Sequence, residues 1–78
     1  MLRVAIFARE KGPLGSAAEM LSRIEGITEV FTVTGKDDII AMADISSVDE
    51  LRWLREKLAS EPSIGSSEIK VVTSVRKK

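Results

Sequence analysis

The sequence has no cysteine and no histidine. Without cysteine there are no disulfides, and without histidine a zinc site would need carboxylates alone, a set that zinc rarely uses. The same absences exclude a histidine general base, a cysteine nucleophile and a serine–histidine–aspartate triad. Aromatic residues are scarce, at 4%. Only Phe7 and Phe31 fall in strand-like segments, which argues against an RNA module that stacks bases across its middle strands. Charge of one sign is not in excess, since twelve basic residues balance twelve acidic ones, unlike the basic footprint of a nucleic-acid binder. No apolar run reaches the length of a membrane span. The opening apolar stretch lacks a cleavage-like tail and reads as a strand rather than a signal peptide. No P-loop, dinucleotide glycine pattern or nucleophile elbow appears. A cytoplasmic location, with no membrane partner, is the expectation.

What is present fits a single domain. A chain of 78 residues builds a marginal core, and small domains usually gain stability from disulfides, a metal or partner subunits. With the first excluded and the second disfavoured, association with other copies is expected.

Leu2 to Ala8 reads as a strand, broken at Gly12-Pro13. A helix is then expected, starting at Pro13 or at Ser16, where Ser16 and Glu19 form a capping-box pattern. Leu14, Ala17, Ala18, Leu21 and Ile24 recur at helical spacing, and Gly26 suits a left-handed cap. Thr28 to Thr34 and Asp38 to Ala43 read as strands joined by a turn at Gly35-Lys36-Asp37, a hairpin signal. Ser47 and Glu50 form a second capping box ahead of Val48, Leu51, Leu54 and Leu58. Pro62 and Gly65 end that helical region, Ser67 to Val75 reads as the last strand, and Arg76-Lys77-Lys78 as a polar tail.

The order is strand, helix, strand, strand, helix, strand. The expected fold is α+β and ferredoxin-like (β-α-β-β-α-β), a four-stranded antiparallel sheet with two helices on one face. One face of such a sheet should be polar. Instead, Val4 and Ile6 alternate with Ala5 and Phe7, Ile39 and Ala41 with Ile40 and Met42, Phe31 and Val33 with Val30, and in the last strand Ile69, Val71 and Val75 with Val72. Two apolar faces need two covers. The helices supply one, and a second subunit packed sheet to sheet would supply the other, as in dimeric α+β barrels. Trp53 falls at the edge of its helix's apolar stripe and is a candidate for a subunit contact or for plain partial burial.

The run Gly26-Ile27-Thr28-Glu29-Val30-Phe31-Thr32-Val33-Thr34-Gly35-Lys36-Asp37-Asp38-Ile39-Ile40 resembles the effector-binding (RAM) domain of the leucine-responsive regulator family, Lrp/AsnC. That family has a strand ending in Thr/Ser-Gly-x-x-Asp before an apolar strand, matched by Thr34, Gly35 and Asp38; Pro62 to Ser67 takes the place of a later proline-glycine turn. The resemblance covers nearly the whole chain. It implies sheet-face dimers assembled into octamers or decamers, a small amino acid bound between dimers, and a role in transcription regulation without catalysis, metal or cofactor. It places Thr34, Gly35, Lys36, Asp37 and Asp38 in the ligand cleft, with Ser66 and Ser67 facing it from a neighbouring dimer. A glycine lets backbone approach a carboxylate closely, and an aspartate can hold an ammonium. Departures are Ser63 for a glycine, Ser67 and Ile69 for threonines, and Asp37 for an aromatic. The family's helix-turn-helix DNA-binding domain has no counterpart in residues 1–78, so the expectation is a stand-alone domain that does not contact DNA directly and co-assembles with full-length regulators. The competing readings are a small dimeric α+β-barrel enzyme of monooxygenase or isomerase type, which would carry convergent polar groups between sheet and helices, and a detached ACT-like regulatory module.

Overall fold

The computed structural model describes residues 2–35 and 38–77. Six elements follow the expected order: β1 Leu2–Glu10, α1 Ser16–Ser22, β2 Ile27–Thr32, β3 Ile39–Ile45, α2 Val48–Ser60 and β4 Ile64–Val71. The four strands form one sheet in the order β2-β3-β1-β4, every pair antiparallel. This is the ferredoxin-like arrangement.

Side chains alternate across a strand, so the register assigns every strand residue to a face. Ile6 lies between Ala41 and Ile69, and Ala8 between Ile39 and Ser67. These positions face the helices. There Val4, Ile6, Ala8, Ile39, Ala41, Ala43, Ile45 and Ile64 pack with Ala17, Leu21, Ile24, Leu54 and Leu58 into one buried cluster. The alternate positions form the other face. Phe31, Ile40, Phe7 and Glu68 make one row across it, and Glu29, Met42, Ala5 and Lys70 the next. None of these is buried. The two-sided apolar pattern therefore holds in β1, β2 and β3. In β4 it does not: Ser66, Glu68 and Lys70 face away from the helices, and Lys70 Nζ lies 5.5 Å from the centroid of the Phe7 ring, within reach of a cation–π attraction.

Several boundaries differ from expectation. β4 runs Ile64–Val71 rather than Ser67 to Val75, because its partner is β1. Val4 pairs with Val71 and the Val72 N–H donates to the Arg3 carbonyl, so little of β1 is left for Val75 to pair with. β2 and β3 run Ile27–Thr32 and Ile39–Ile45, each shifted slightly from the expected ranges. Leu14 does not join the apolar stripe. It sits at the Pro13–Ser16 turn, 98% exposed. Val48, in the first turn of α2, also remains exposed.

The helix starts differ too. At α2 the Ser47 hydroxyl accepts the Glu50 N–H, while the Glu50 carboxylate accepts the N–H and hydroxyl of Ser46. The capping box thus closes one residue earlier than expected on its return side. At α1 the box is absent. Gly15 occupies the N-cap with φ 88° and offers no side chain, and the Ser16 hydroxyl donates to the Pro13 carbonyl. The acceptor comes from β1 instead: Glu10 Oε1 takes the Ala17 N–H at 3.0 Å.

Candidate functional site

The β2–β3 turn and the start of β4 flank the C-terminal end of β1. The turn is closed by the Val33 N–H donating to the Asp38 carbonyl at 2.9 Å. Thr34 and Gly35 are exposed within it. Gly35 has φ 128° and open space where a Cβ would stand, so the conformation, not crowding, favours glycine. Lys36 and Asp37 lie outside the described residues.

The Asp38 side chain reaches beyond the turn. Its Oδ1 accepts the backbone N–H of Glu10 at 2.7 Å, across the strand boundary. One oxygen of the carboxylate is thereby fixed, and the acid is held at the sheet's end. Ser66 pairs with Arg9 and Ser67 with Ala8, inside β4 rather than ahead of it. Their hydroxyls leave on opposite faces. Ser66 shares the bare face with Arg9, while Ser67 opens onto a groove beside Leu51, Arg55 and Ala59 of α2. A ligand lying on one face meets one of the two hydroxyls. β1 separates both from Asp38, two strand spacings or roughly 10 Å away within one chain.

Glu10 escaped sequence reasoning. It follows a strand and precedes a glycine-proline turn, which reads as loop polarity. Its partners lie 7 residues away at Ala17 and 28 away at Asp38, too far for any local pattern. The one available signal was negative: Gly15, ahead of the helix, cannot cap it.

Between sheet and helices, no polar or charged side chain among the described residues is buried. That layer is apolar packing rather than a set of convergent polar groups, the feature an α+β-barrel enzyme would show there. Among the described residues no cluster of acidic side chains is placed to hold a metal ion, and no helix is long and apolar enough to cross a membrane. A second concavity lies between the β2–β3 end of the sheet and α2, lined by Gly26, Ile27, Asp44, Ser46, Glu50 and Trp53. Trp53, 52% exposed, forms its outer wall.

Comparison with known proteins agrees with this geometry. No curated protein sequence matches the chain. Among solved structures, a Thermus thermophilus protein, TTHA0845, is 21% identical with a TM-score of 0.83, each chain covered in full. Escherichia coli AsnC is 24% identical with a TM-score of 0.81, covering 99% of this chain and 54% of AsnC. A Neisseria meningitidis transcriptional regulator solved with L-Met is 15% identical with a TM-score of 0.82, covering 99% of this chain and 53% of the regulator. These likenesses establish the fold, and this chain spans about half of each of the last two. The family model described as the Lrp/AsnC ligand-binding domain matches residues 3–78, and the chain belongs to that family, whose members include transcriptional regulators.

Proposed function

We propose that this chain is an effector-binding and oligomerisation domain that takes a small amino acid at the Thr34–Asp38 turn, between sheet-face dimers assembled into an octamer or decamer. The observation that carries the reading is the bare sheet face. Phe7, Phe31, Ile40 and Met42 lie together on it, with Phe31 46% exposed. Contiguous apolar surface of this kind marks an interaction site. A second copy applied about a two-fold axis covers it with itself. The polar β4 column of Ser66, Glu68 and Lys70, together with the Arg3–Glu29 pair at 3.8 Å, would rim the interface.

The ligand assignment rests on family membership and on the chemistry of the turn. Asp38 presents a fixed carboxylate to an ammonium group, and Gly35 lets backbone approach a carboxylate. The L-Met found with the Neisseria regulator is an effector of this chemical class. Lys36 and Asp37 complete the proposed contacts, with Ser66 or Ser67 of the adjoining dimer, whichever of the two faces the ligand. The fold shared with regulators such as AsnC further supports co-assembly with full-length regulators, through which the domain would act without contacting DNA directly.

Three measurements test the proposal. Sedimentation velocity at micromolar concentration should give a species several times the 8.5 kDa of one chain, and a monomer would refute the assembly. A thermal-shift screen of the twenty amino acids should raise the melting temperature for at least one, since a ligand that binds only the folded state stabilises it. No shift from any of them would remove the effector claim. Retention of a tagged full-length regulator by this domain, or its absence, decides co-assembly.

A further inference from the structure

The β2–β3 turn is connected to the first turn of α1 by two carboxylates acting in series. Asp38 Oδ1 accepts the Glu10 N–H at 2.7 Å, and Glu10 Oε1 accepts the Ala17 N–H at 3.0 Å. Neither bond is a local accident of its turn, since the partners are 28 and 7 residues apart. The second bond meets a definite need. The opening N–H groups of a helix have no partner within it, and Gly15 has no side chain to supply one. Glu10 also lies where the β1–β4 register shifts, between Arg9 and Glu10, so its backbone is not held by a regular ladder alone. Hydrogen bonds to an ionised carboxylate are about twice as strong as neutral ones.

We propose that Asp38 and Glu10 form a brace that positions the turn for its ligand, which makes Glu10 a positioning residue for the effector site and α1 the element coupled to it. This rests on the effector reading given above and assigns that site a regulatory connection. With Oδ1 held by the Glu10 amide, Oδ2 is the oxygen left for an ammonium group. The carboxylate is thus oriented before the ligand arrives, which removes part of the ordering cost of binding. A ligand that pulls the carboxylate away from the Glu10 amide loosens the link to Ala17, and one that binds Oδ2 alone tightens it. Either way the state of the turn reaches α1 through one side chain.

The test is amide hydrogen exchange by NMR on the intact protein and on Asp38→Ala, Glu10→Ala and Glu10→Gln. Asp38→Ala should speed exchange at Glu10 N–H and also at Ala17 N–H, by about ten-fold for a lost bond to a charged group. Glu10→Ala should speed Ala17 likewise, and Glu10→Gln, which keeps an acceptor oxygen, should restore most of the protection. If Asp38→Ala leaves Ala17 unchanged, the two bonds act separately and the brace is refuted. A second arm titrates the amino acid that gives the largest thermal shift. Glu10→Ala should weaken its binding several-fold and Glu10→Gln should recover it, with exchange in β3 and β4 unaltered. Wild-type affinity in Glu10→Ala refutes the positioning role. If no amino acid shifts the wild-type melting temperature, the effector reading fails and the positioning role with it, while the exchange arm still decides whether the brace exists.

Discussion

Val4, Ile6 and Ala8 lose all their solvent exposure, while Ala5, Phe7 and Arg9, interleaved with them on the same strand, keep part of theirs. The two faces of the sheet share one backbone and differ by a single step in register. On the helix side the residues are mostly small or branched, and Ala8, Ala41 and Ala43 let α1 and α2 sit close. On the other side the residues are larger, with Phe7, Phe31, Ile40 and Met42 forming a patch that stays partly exposed among the described residues. On the proposed assembly, the difference separates folding from association: one face holds the domain together, and the other would meet a second copy.

Substitutions can break that separation. Ile6→Ala, in the covered layer, should cost about 2–5 kcal/mol in denaturant-induced unfolding, with the oligomer lost only as the fold is lost. Phe7→Asp, one residue along, should do the reverse. It should weaken association by about 2 kcal/mol or more, roughly thirty-fold in dissociation constant, as for a central interface residue, while the isolated domain keeps its circular dichroism. Intact assembly of Phe7→Asp in sedimentation would place the interface elsewhere. Asp38→Ala should remove any amino-acid-induced thermal shift and lower stability by about 1.5 kcal/mol, the worth of a hydrogen bond to a charged group, leaving the oligomer intact.

The smaller effects concern α2, which covers the buried face. Ser47→Ala removes the acceptor of the Glu50 N–H and should cost about 1 kcal/mol in thermal unfolding. Hydrogen bonds from the Ser46 N–H, and then from its hydroxyl, lower the pKa of Glu50 below its ordinary value of 4.5. A carboxylate with a lowered folded-state pKa adds stability above its unfolded value, and loses that contribution as pH falls through the folded one. Glu50→Gln should therefore be less stable than wild type at neutral pH, and the gap should narrow as the pH falls below 4.5. Glu50 is exposed, so this is the smallest of the expected changes.

The element order and the two-faced strands were legible from the sequence because both are periodic signals. What sequence could not supply were features fixed by partners. Val72 and Val75 look like strand residues, but β4 ends where β1 stops offering a partner, near Arg3. Leu14 matches the spacing of the α1 stripe, yet the Pro13–Ser16 turn turns it outward. Ser16 and Glu19 match a capping box, but the N-cap falls on Gly15 and leaves the serine inside the helix. At the candidate site, Thr34, Gly35 and Asp38 were named by motif, and the serines by the family resemblance, at the start of an expected strand. The division of Ser66 and Ser67 between opposite faces, and the part played by Glu10, depend on contacts between distant segments.

The strand order β2-β3-β1-β4 bears on how the protein is made. Of these four strands β1 leaves the ribosome first, yet it lies in the interior of the sheet, between β3 and β4. Its first partner appears with residues 39–45 and its second only with residues 64–71. Both backbone edges of β1 are open until β3 emerges, and one of them stays open until β4 does. Sheets joined through such distant pairings close slowly, and bare edges invite aggregation meanwhile. The patch proposed to meet a second copy is thus available to other nascent chains before the fold is complete.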